Sequence, residues 1–90
     1  MSYFVYILEC CDGSLYTGIT KDIQKRIDEH NSSDKGAKYT KARRPVKLVY
    51  EESSDDRSSA SKREYEIKKF SRSKKLQLIK TKDLYHNLST

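Results

Sequence analysis

Cysteine and long apolar stretches are scarce in this chain of 90 residues, and acidic residues are fewer than basic ones. Its two cysteines, Cys10 and Cys11, are adjacent, so a disulfide between them would close a strained ring. No second cysteine pair exists to complete a zinc site. We therefore expect free thiols. No apolar run is long enough to span a bilayer and no signal peptide is recognisable, so we expect no membrane partner and a cytoplasmic location.

The length of the chain allows one domain with one modest core, because a chain of this size buries only about 60–65% of the surface that it exposes when unfolded. Hydrophobic residues make up 34% and charged residues 36% of the sequence. The apolar residues cluster into periodic segments, which favours a compact fold over disorder. We predict a monomeric domain over residues 1–80 and a polar tail over residues 81–90, without internal repeats or linkers.

Basic residues outnumber acids by 19 to 13, which gives a formal charge of +6. The segment 35–47 contains no acid. A basic field of this kind attracts polyanions, of which nucleic acid is the usual one, although a merely solvated surface or a flexible charged loop would have the same composition. The predicted nucleic-acid contacts in this segment, which also contains Tyr39, are Lys35, Lys38, Lys41, Arg43 and Arg44.

Two strands open the chain. Residues 3–9 are apolar on both faces and rich in aromatic and β-branched types, which is typical of a central strand covered on both sides. Residues 11–13, Cys-Asp-Gly, supply turn chemistry, and residues 14–19 alternate as a second strand. Together they predict a β-hairpin.

The register of this hairpin decides whether its two tyrosines can meet. A two-residue turn would pair Glu9 with Tyr16 and place Tyr6 on the opposite face. A three-residue loop with glycine in the left-handed conformation would pair Leu8 with Tyr16 and bring Tyr6 to the same face. We predict the three-residue loop or an equivalent bulge, with both tyrosines beside Gly18, where the missing side chain lets a backbone or a substrate approach.

An amphipathic helix is predicted next, beginning at a Thr20 or Asp22 cap and ending near Asn31. At about 100° per residue, Arg26 and His30 fall on the edge of its apolar stripe and face the border of the sheet. A guanidinium in that position can bond two phosphate oxygens. The alternatives are a surface arginine and a half-buried packing histidine.

The rest of the chain completes an α/β (α+β) fold, with a three-stranded antiparallel sheet flanked by helices in the order β-β-α-β-α-α. Residues 32–44 are predicted to form a surface loop, and the alternating residues 46–50 a third strand that closes the sheet. A helix is expected from about residue 57 to residue 70 after Asp55 or Asp56, and a last helix after a Ser71 cap.

Glu64 shares the apolar face of the second predicted helix with Ala60 and Ile67. An acid in that stripe loses solvation unless a cation, a donor or a metal meets it. An ion pair with Lys68 would contribute only a few tenths of a kcal/mol, so it does not explain the position. Since Mg²⁺ keeps several waters, one carboxylate and a substrate phosphate suffice to hold it.

Taken together, the tyrosine motifs Phe4-Val5-Tyr6 and Tyr16-Thr17-Gly18, the helical Arg26 and His30, and the later Glu64 resemble the GIY-YIG endonuclease domain, in particular its small stand-alone bacterial members. The resemblance implies that these five positions, Tyr6, Tyr16, Arg26, His30 and Glu64, are catalytic and that Glu64 binds one Mg²⁺, with Mn²⁺ as an alternative. The first motif departs from the family name at Phe4 and Val5.

The resemblance implies an endonuclease that hydrolyses DNA, with RNA left open, in repair or recombination and with a repair-complex protein as a further partner. A tyrosine would deprotonate the attacking water, with Tyr6 preferred over Tyr16, and Arg26 would stabilise the phosphoryl oxygens. Some members carry a lysine where this chain has Ile19. We expect Arg26 to supply the positive charge that favours the phenolate, and His30 to take over the role of that lysine beside it. The alternative is a non-catalytic nucleic-acid-binding module or adaptor of the same fold.

Overall fold

The computed structural model describes residues 2–32 and 35–88, the last seven of these by their backbone alone. The elements are β1 (Tyr3–Glu9), β2 (Leu15–Thr20), α1 (Ile23–Ser32), α2 (Lys38–Lys41), β3 (Lys47–Ser54), α3 (Arg57–Lys68) and α4 (Arg72–Leu88). The strands form one antiparallel sheet in the order β2-β1-β3. The predicted fold class is therefore confirmed, with β1 as the central strand.

Strand β1 is apolar on both faces because helices cover both of them. On one face Val5 and Ile7 pack in a core with Ala60 and Ile67 of α3. On the other face lies a second core, in which Tyr6 and Leu8 of β1 pack with partly buried isoleucines of α1. Side chains of successive strand residues point to opposite faces, so the two cores divide β1 between them.

The hairpin has the odd-length loop that the sequence predicts. Leu8 lies opposite Tyr16, and the Cys10 N–H donates to the Ser14 carbonyl oxygen at 2.8 Å. Gly13 has a φ of +84°, in the left-handed region that glycine adopts without a steric penalty. The three-residue loop is confirmed.

Each of the three longer helices begins at a side chain that accepts a hydrogen bond from a backbone N–H three residues later. The caps are Asp22 for α1, Asp56 for α3 and Ser71 for α4. These bonds satisfy N–H groups that have no partner within the helix.

Asn31, near the end of α1, fixes the start of β3. Its Oδ1 accepts from Val46 N at 2.7 Å, and its Nδ2 donates to Val46 O at 3.0 Å.

One expectation about an irregular segment needs revision, and another stays untested. The segment 32–44 is not a loop throughout, because α2 forms a single helical turn within it. No change in backbone conformation marks the start of the expected polar tail, since α4 continues to Leu88; residues 89–90 lie outside the described residues. The division at residue 80 stays a prediction. Among the described residues, no helix is both long and apolar enough to cross a membrane.

Candidate active site

The first site residue, Tyr6, points from β1 toward α1 and is only 1% exposed. Its partner in the strand register is Gly18, and a Cβ built on Gly18 would lie 2.5 Å from the Tyr6 hydroxyl oxygen. That distance is far shorter than a van der Waals contact. The glycine of the second motif therefore makes room for the Tyr6 phenol, and the Tyr6 ring fills the space that the sequence left open for a backbone or a substrate.

His30 joins Tyr6 to α2. The Tyr6 hydroxyl oxygen lies 2.9 Å from His30 Nε2, and His30 Nδ1 lies 2.8 Å from Thr40 Oγ1. All three side chains are buried, and His30 and Thr40 are 0% exposed. The helical wheel placed His30 at the edge of the apolar stripe, facing the border of the sheet. The structure buries it completely, because α2 covers the imidazole.

The hydrogen-bond partners of Thr40 decide which nitrogen of His30 carries the proton. Thr40 Oγ1 lies 2.9 Å from the Ala37 carbonyl oxygen, which can only accept, so the single hydroxyl proton points there. Thr40 Oγ1 then accepts from Nδ1–H, and Nε2 is left to accept from the Tyr6 hydroxyl. The Ala37 N–H lies 3.5 Å from Nδ1, which is too long to reverse this assignment.

Burial keeps this pair uncharged at neutral pH. Burial raises the pKa of Tyr6 to about 12, and the nearby Arg26 guanidinium opposes this rise only in part. Burial, and then the charge of Arg26, lower the pKa of His30 to about 4. The sequence-based expectation that His30 supplies a cation to Tyr6 is therefore wrong, because the imidazole is neutral and can only accept the phenol proton.

Tyr16 lies on the same face as Tyr6, as the register requires. Its ring centroid is 5.2 Å from that of His30 and 6.4 Å from that of Tyr6. The Tyr16 ring also stacks on Tyr39 at 6.1 Å. Because Tyr16 is only partly buried, it is the phenol of the two that solvent reaches.

Arg26 completes the group on this side of the sheet. Its Nη1 donates to the Lys35 carbonyl oxygen at 2.8 Å and to Glu29 Oε1 at 3.2 Å, and 25% of its side chain is exposed. The guanidinium is close enough to lower the pKa of Tyr6. The structure thus brings Tyr6, Tyr16, Arg26 and His30 together.

Glu64 comes from α3, on the other side of the sheet, and its charge reaches Tyr6, where it adds to the rise in the pKa of that phenol. Its carboxylate lies 3.3 Å from Lys68 Nζ, and 23% of its side chain is exposed. The described residues contain no cluster of three or more His, Cys, Asp or Glu side chains that could hold a metal. The donor set therefore fits a hydrated Mg²⁺ on one carboxylate, and it does not fit an all-protein metal cage.

The predicted nucleic-acid contacts divide into two groups. The three lysines, Lys35, Lys38 and Lys41, are exposed. The two arginines hold the local structure together: Arg43 donates to Asp12 Oδ2 at 3.1 Å, and Arg44 donates to the His30 carbonyl oxygen. A nucleic-acid strand would have to compete with these bonds.

Sequence reasoning missed Thr40, which fixes the proton of His30, and Thr17, whose Oγ1 has no hydrogen-bond partner among the described residues although Thr17 is only 3% exposed. No sequence signal marks Thr40, since a threonine within a run of cations is typical of a solvated loop. Thr17 stands in the second motif, but alternation predicts only which face it occupies.

Comparison with known protein families and structures agrees with this geometry. The family model described as the GIY-YIG catalytic domain matches residues 2–77. A UPF0213 protein of Desulfotalea psychrophila is 60% identical over 82 residues, which cover 91% of this chain and 74% of that protein. A UPF0213 protein of Staphylococcus saprophyticus is 65% identical over 77 residues, which cover 86% of this chain and 93% of that protein.

Two solution NMR structures share the fold. The UPF0213 protein of Bacillus halodurans is 50% identical, with a TM-score of 0.59 over 91% of this chain and 86% of that chain. A protein of E. faecalis is 44% identical, with a TM-score of 0.63 over 93% of this chain and 88% of that chain. In both cases the likeness extends over nearly the whole of the two chains.

Proposed function

Because this chain belongs to the GIY-YIG family of catalytic domains, a family of nuclease type, we propose that it is an endonuclease that hydrolyses phosphodiester bonds in DNA. We propose that it works as a monomer in the cytoplasm during repair or recombination, alone or with a repair-complex protein. The formal charge of +6 supports a polyanionic substrate, since it raises the local concentration of nucleic acid.

One observation carries the proposal: the hydrogen-bonded chain from Tyr6 through His30 to Thr40. In this series of hydrogen bonds, the neutral imidazole of His30 presents its unprotonated nitrogen to the phenol of Tyr6. This is the arrangement of a base and the group that it deprotonates. Thr40 holds the imidazole in the required tautomer, as an orienting third group does in other hydrolases.

We assign the proton transfer to Tyr6 and His30 together. As the water oxygen bonds to phosphorus and the leaving oxygen departs, the water gives a proton to the Tyr6 oxygen while the Tyr6 proton moves to His30 Nε2. A phenolate need not form beforehand, which agrees with a Tyr6 pKa of about 12. Because Tyr6 is buried and the neighbouring Arg26 is partly exposed, we place the approach of the water on the Arg26 side.

Arg26 has two effects in this scheme. Its guanidinium stabilises the charge that develops on the phosphoryl oxygens. A phosphate bound there also offsets the positive charge that helps to lower the pKa of His30, so the bound substrate makes Nε2 a stronger base. Tyr16, whose ring contacts His30, supports the imidazole from the solvent side.

Glu64 is the residue that would hold a divalent cation, Mg²⁺ or in its place Mn²⁺. When bound, such an ion neutralises charge on the phosphate and on the leaving oxygen. The ion pair with Lys68 does not prevent this, because a partly exposed pair between residues i and i+4 contributes only about 0.3–0.5 kcal/mol and a divalent ion competes with it readily.

The test is a cleavage assay with single-stranded, duplex and branched DNA and with RNA, each with Mg²⁺ or with EDTA. We expect cleavage that needs the metal. Tyr6→Phe should lower the rate about 10²- to 10⁴-fold, the usual contribution of general acid–base catalysis. Tyr65→Phe is the matched control, since Tyr65 is 62% exposed on α3, and it should cut at the rate of the unmodified protein.

Two results would change the assignment. If Tyr16→Phe abolishes cutting and Tyr6→Phe does not, the partly buried Tyr16 is the base. If the unmodified protein binds nucleic acid but cuts none of these substrates with Mg²⁺, the chain is a binding module or an adaptor.

A further inference from the structure

A pocket on the hairpin side of the molecule lies beside the site described above. Its volume of about 240 Å³ is below the roughly 300–1,000 Å³ of pockets that take drug-sized ligands, so it suits a small planar group. Strand β2, helix α2 and the two C-terminal helices each contribute to its walls. The residues that line it are Leu15, Tyr16, Thr17, Tyr39, Lys68 and Lys75.

The chemistry of the lining combines rings with positive charge. Tyr16 and Tyr39 provide aromatic surface, and Lys68 and Lys75 provide ammonium groups. None of the described lining residues is acidic. Aromatic rings interleaved with cations are typical of surfaces that bind single-stranded nucleic acid, where bases stack on rings and phosphates meet lysines.

The outer ring of the pocket is held in place although it is exposed. Tyr39 is 41% exposed, and the Arg43 guanidinium carbon lies 4.0 Å from the centroid of its ring. Arg43 is fixed in turn by Asp12 of the hairpin loop at 3.1 Å and by the Tyr39 carbonyl oxygen at 2.9 Å. A ring ordered in advance loses less conformational entropy when a ligand stacks on it.

Thr17 also lines the pocket, but its side chain lies on the α3 face of β2, opposite to the face that Tyr16 occupies. It is 3% exposed, and its Oγ1 lacks a hydrogen-bond partner among the described residues. A buried hydroxyl without a partner is costly, and such groups are usually satisfied by water or by a ligand. Because this oxygen is buried on the α3 face, it is not among the groups that contact a base lying against Tyr16.

We propose that this pocket binds one unpaired nucleotide of the substrate, with its base against Tyr39 and Tyr16 and its phosphate between Lys68 and Lys75. A base in a duplex is stacked and paired on both sides, so it cannot enter; a base in a single strand, a flap or a bulge can. The inference rests on the proposed function, and it specifies the substrate class as nucleic acid with an unpaired segment next to the scissile phosphate.

Lys68 connects the pocket to Glu64. Its side chain is 50% exposed and it pairs with Glu64 at 3.3 Å. Since that pair is weak, a phosphate in the pocket can draw Lys68 away from the carboxylate. Lys68 can therefore contact a phosphate of the substrate strand, because its ion pair with Glu64 is too weak to prevent it.

The test is a binding titration by fluorescence anisotropy in EDTA, so that it does not depend on cutting. The probes are a labelled oligothymidylate of about ten nucleotides, the matching oligouridylate and a blunt duplex of the same length, with polyglutamate as an unlabelled competitor. We expect both single strands to bind more tightly than the duplex. Tyr39→Ala should weaken single-strand binding about tenfold, which corresponds to the loss of one stacked base, and Tyr39→Phe should restore it.

Two control variants separate this pocket from general surface effects. Tyr65→Ala removes another exposed tyrosine, which has Lys69 over its ring at 4.2 Å, and it should bind as the unmodified protein does. Lys75→Ala should reduce the slope of log affinity against log salt by about 0.7, the value for one phosphate contact with a single strand. The exposed Lys62 serves as the matched lysine control, and Lys62→Ala should leave that slope unchanged.

Equal affinity for duplex and single strand, unchanged binding by Tyr39→Ala, or equal competition by polyglutamate would each overturn the inference. These outcomes differ from a failure of the proposed function, which would show as an absence of cutting with Mg²⁺. A protein that cuts but binds duplex equally well keeps the function and loses the pocket.

Discussion

At the scale of single residues, His30 affects both the stability of the fold and the proposed proton transfer. Both of its ring nitrogens have partners at hydrogen-bond distance, and its pKa is lowered to about 4 by burial and by Arg26. An imidazole that is buried and neutral must take up a proton when the chain unfolds at mildly acidic pH. The group that we assign as the proton acceptor therefore also makes the stability of the fold depend on pH.

We predict that the free energy of unfolding is at its full value above about pH 6.5 and falls as the pH drops from 6.5 toward 4. The sign follows because the unfolded chain, with a histidine pKa of 6.5, binds a proton that the folded chain, with a pKa of about 4, does not. The loss is about 3 kcal/mol in all. Urea titrations between pH 7.5 and pH 4.5 measure it.

His30→Gln is the informative variant for this prediction. It should be less stable than the unmodified protein at pH 7.5, because Tyr6 and Thr40 lose well-placed partners, but its stability should change less between pH 7 and pH 5. Thr40→Val, which keeps the imidazole, should retain the slope. A His30→Gln protein with the full slope would show that another group titrates in this range.

The sequence led us to propose these site residues, but it could not predict their environments. The helical wheel gave the directions of Arg26 and His30, because α-helical geometry is regular. It could not show that His30 is fully buried, since the cover comes from α2, in a segment whose polar composition is typical of a loop. The tyrosine-activating cation expected at His30 is absent for the same reason, because the buried imidazole is neutral.

At the scale of secondary-structure elements, the β-hairpin sets the geometry of the site. Its register was predicted correctly, but the period of two along a strand and the turn chemistry of residues 11–13 allowed both a two-residue and a three-residue loop. The requirement that Tyr6 and Tyr16 share a face decided between them. The same register places Gly18 opposite Tyr6, so the hairpin can close over the phenol only if that position has no side chain.

Gly18→Ala should therefore lower the free energy of unfolding by about 1–3 kcal/mol, because the new methyl group overlaps the Tyr6 ring in a packed core. Gly13→Ala is the matched control: a Cβ at Gly13 meets no atom within 4 Å, and only the left-handed backbone resists it, at a cost of about 1–2 kcal/mol. Thermal unfolding compares the two variants.

The environment of the Tyr6 hydroxyl distinguishes the two glycine substitutions more sharply than the free energy of unfolding does. Gly18→Ala should also disturb the bond between Tyr6 and His30, so the His30 ring signals in NMR spectra should move. Gly13→Ala should leave those signals in place. Unshifted His30 signals in Gly18→Ala would mean that the phenol is not held over Gly18 as described.

Short and polar elements were harder to predict. Helix α2 has four residues, about one helical turn, which is too short for an amphipathic pattern to show, and so it was expected to be loop. Strand β3 continues to Ser54, beyond the apolar residues that indicated it, because the polar residues 51–54 pair with β1 along the sheet. Because backbone pairing does not require apolar side chains, residues 51–54 show no hydrophobic pattern from which a strand could be predicted.

At the scale of the whole molecule, the fold joins side chains from both faces of one small sheet. Tyr6 and His30 lie on the α1 side, whereas Glu64 comes from α3, on the opposite side. They can act on one phosphate if it sits at the β2 edge of the sheet, where the strand order ends. The pocket that we propose for an unpaired nucleotide also opens at β2, which is consistent with a single substrate path along that edge.

The most direct test of the central claim, that these groups form one hydrolytic site, is a double-mutant cycle on single-turnover cleavage with Mg²⁺. The rates are those of the unmodified protein, Tyr6→Phe, Glu64→Gln and the double variant. We predict that each single change slows cleavage at least about 100-fold and that the double variant is little slower than the slower single one, because residues that act as a unit are not additive. Cleavage by Glu64→Gln at the unmodified rate, or fully additive losses, would contradict a single site.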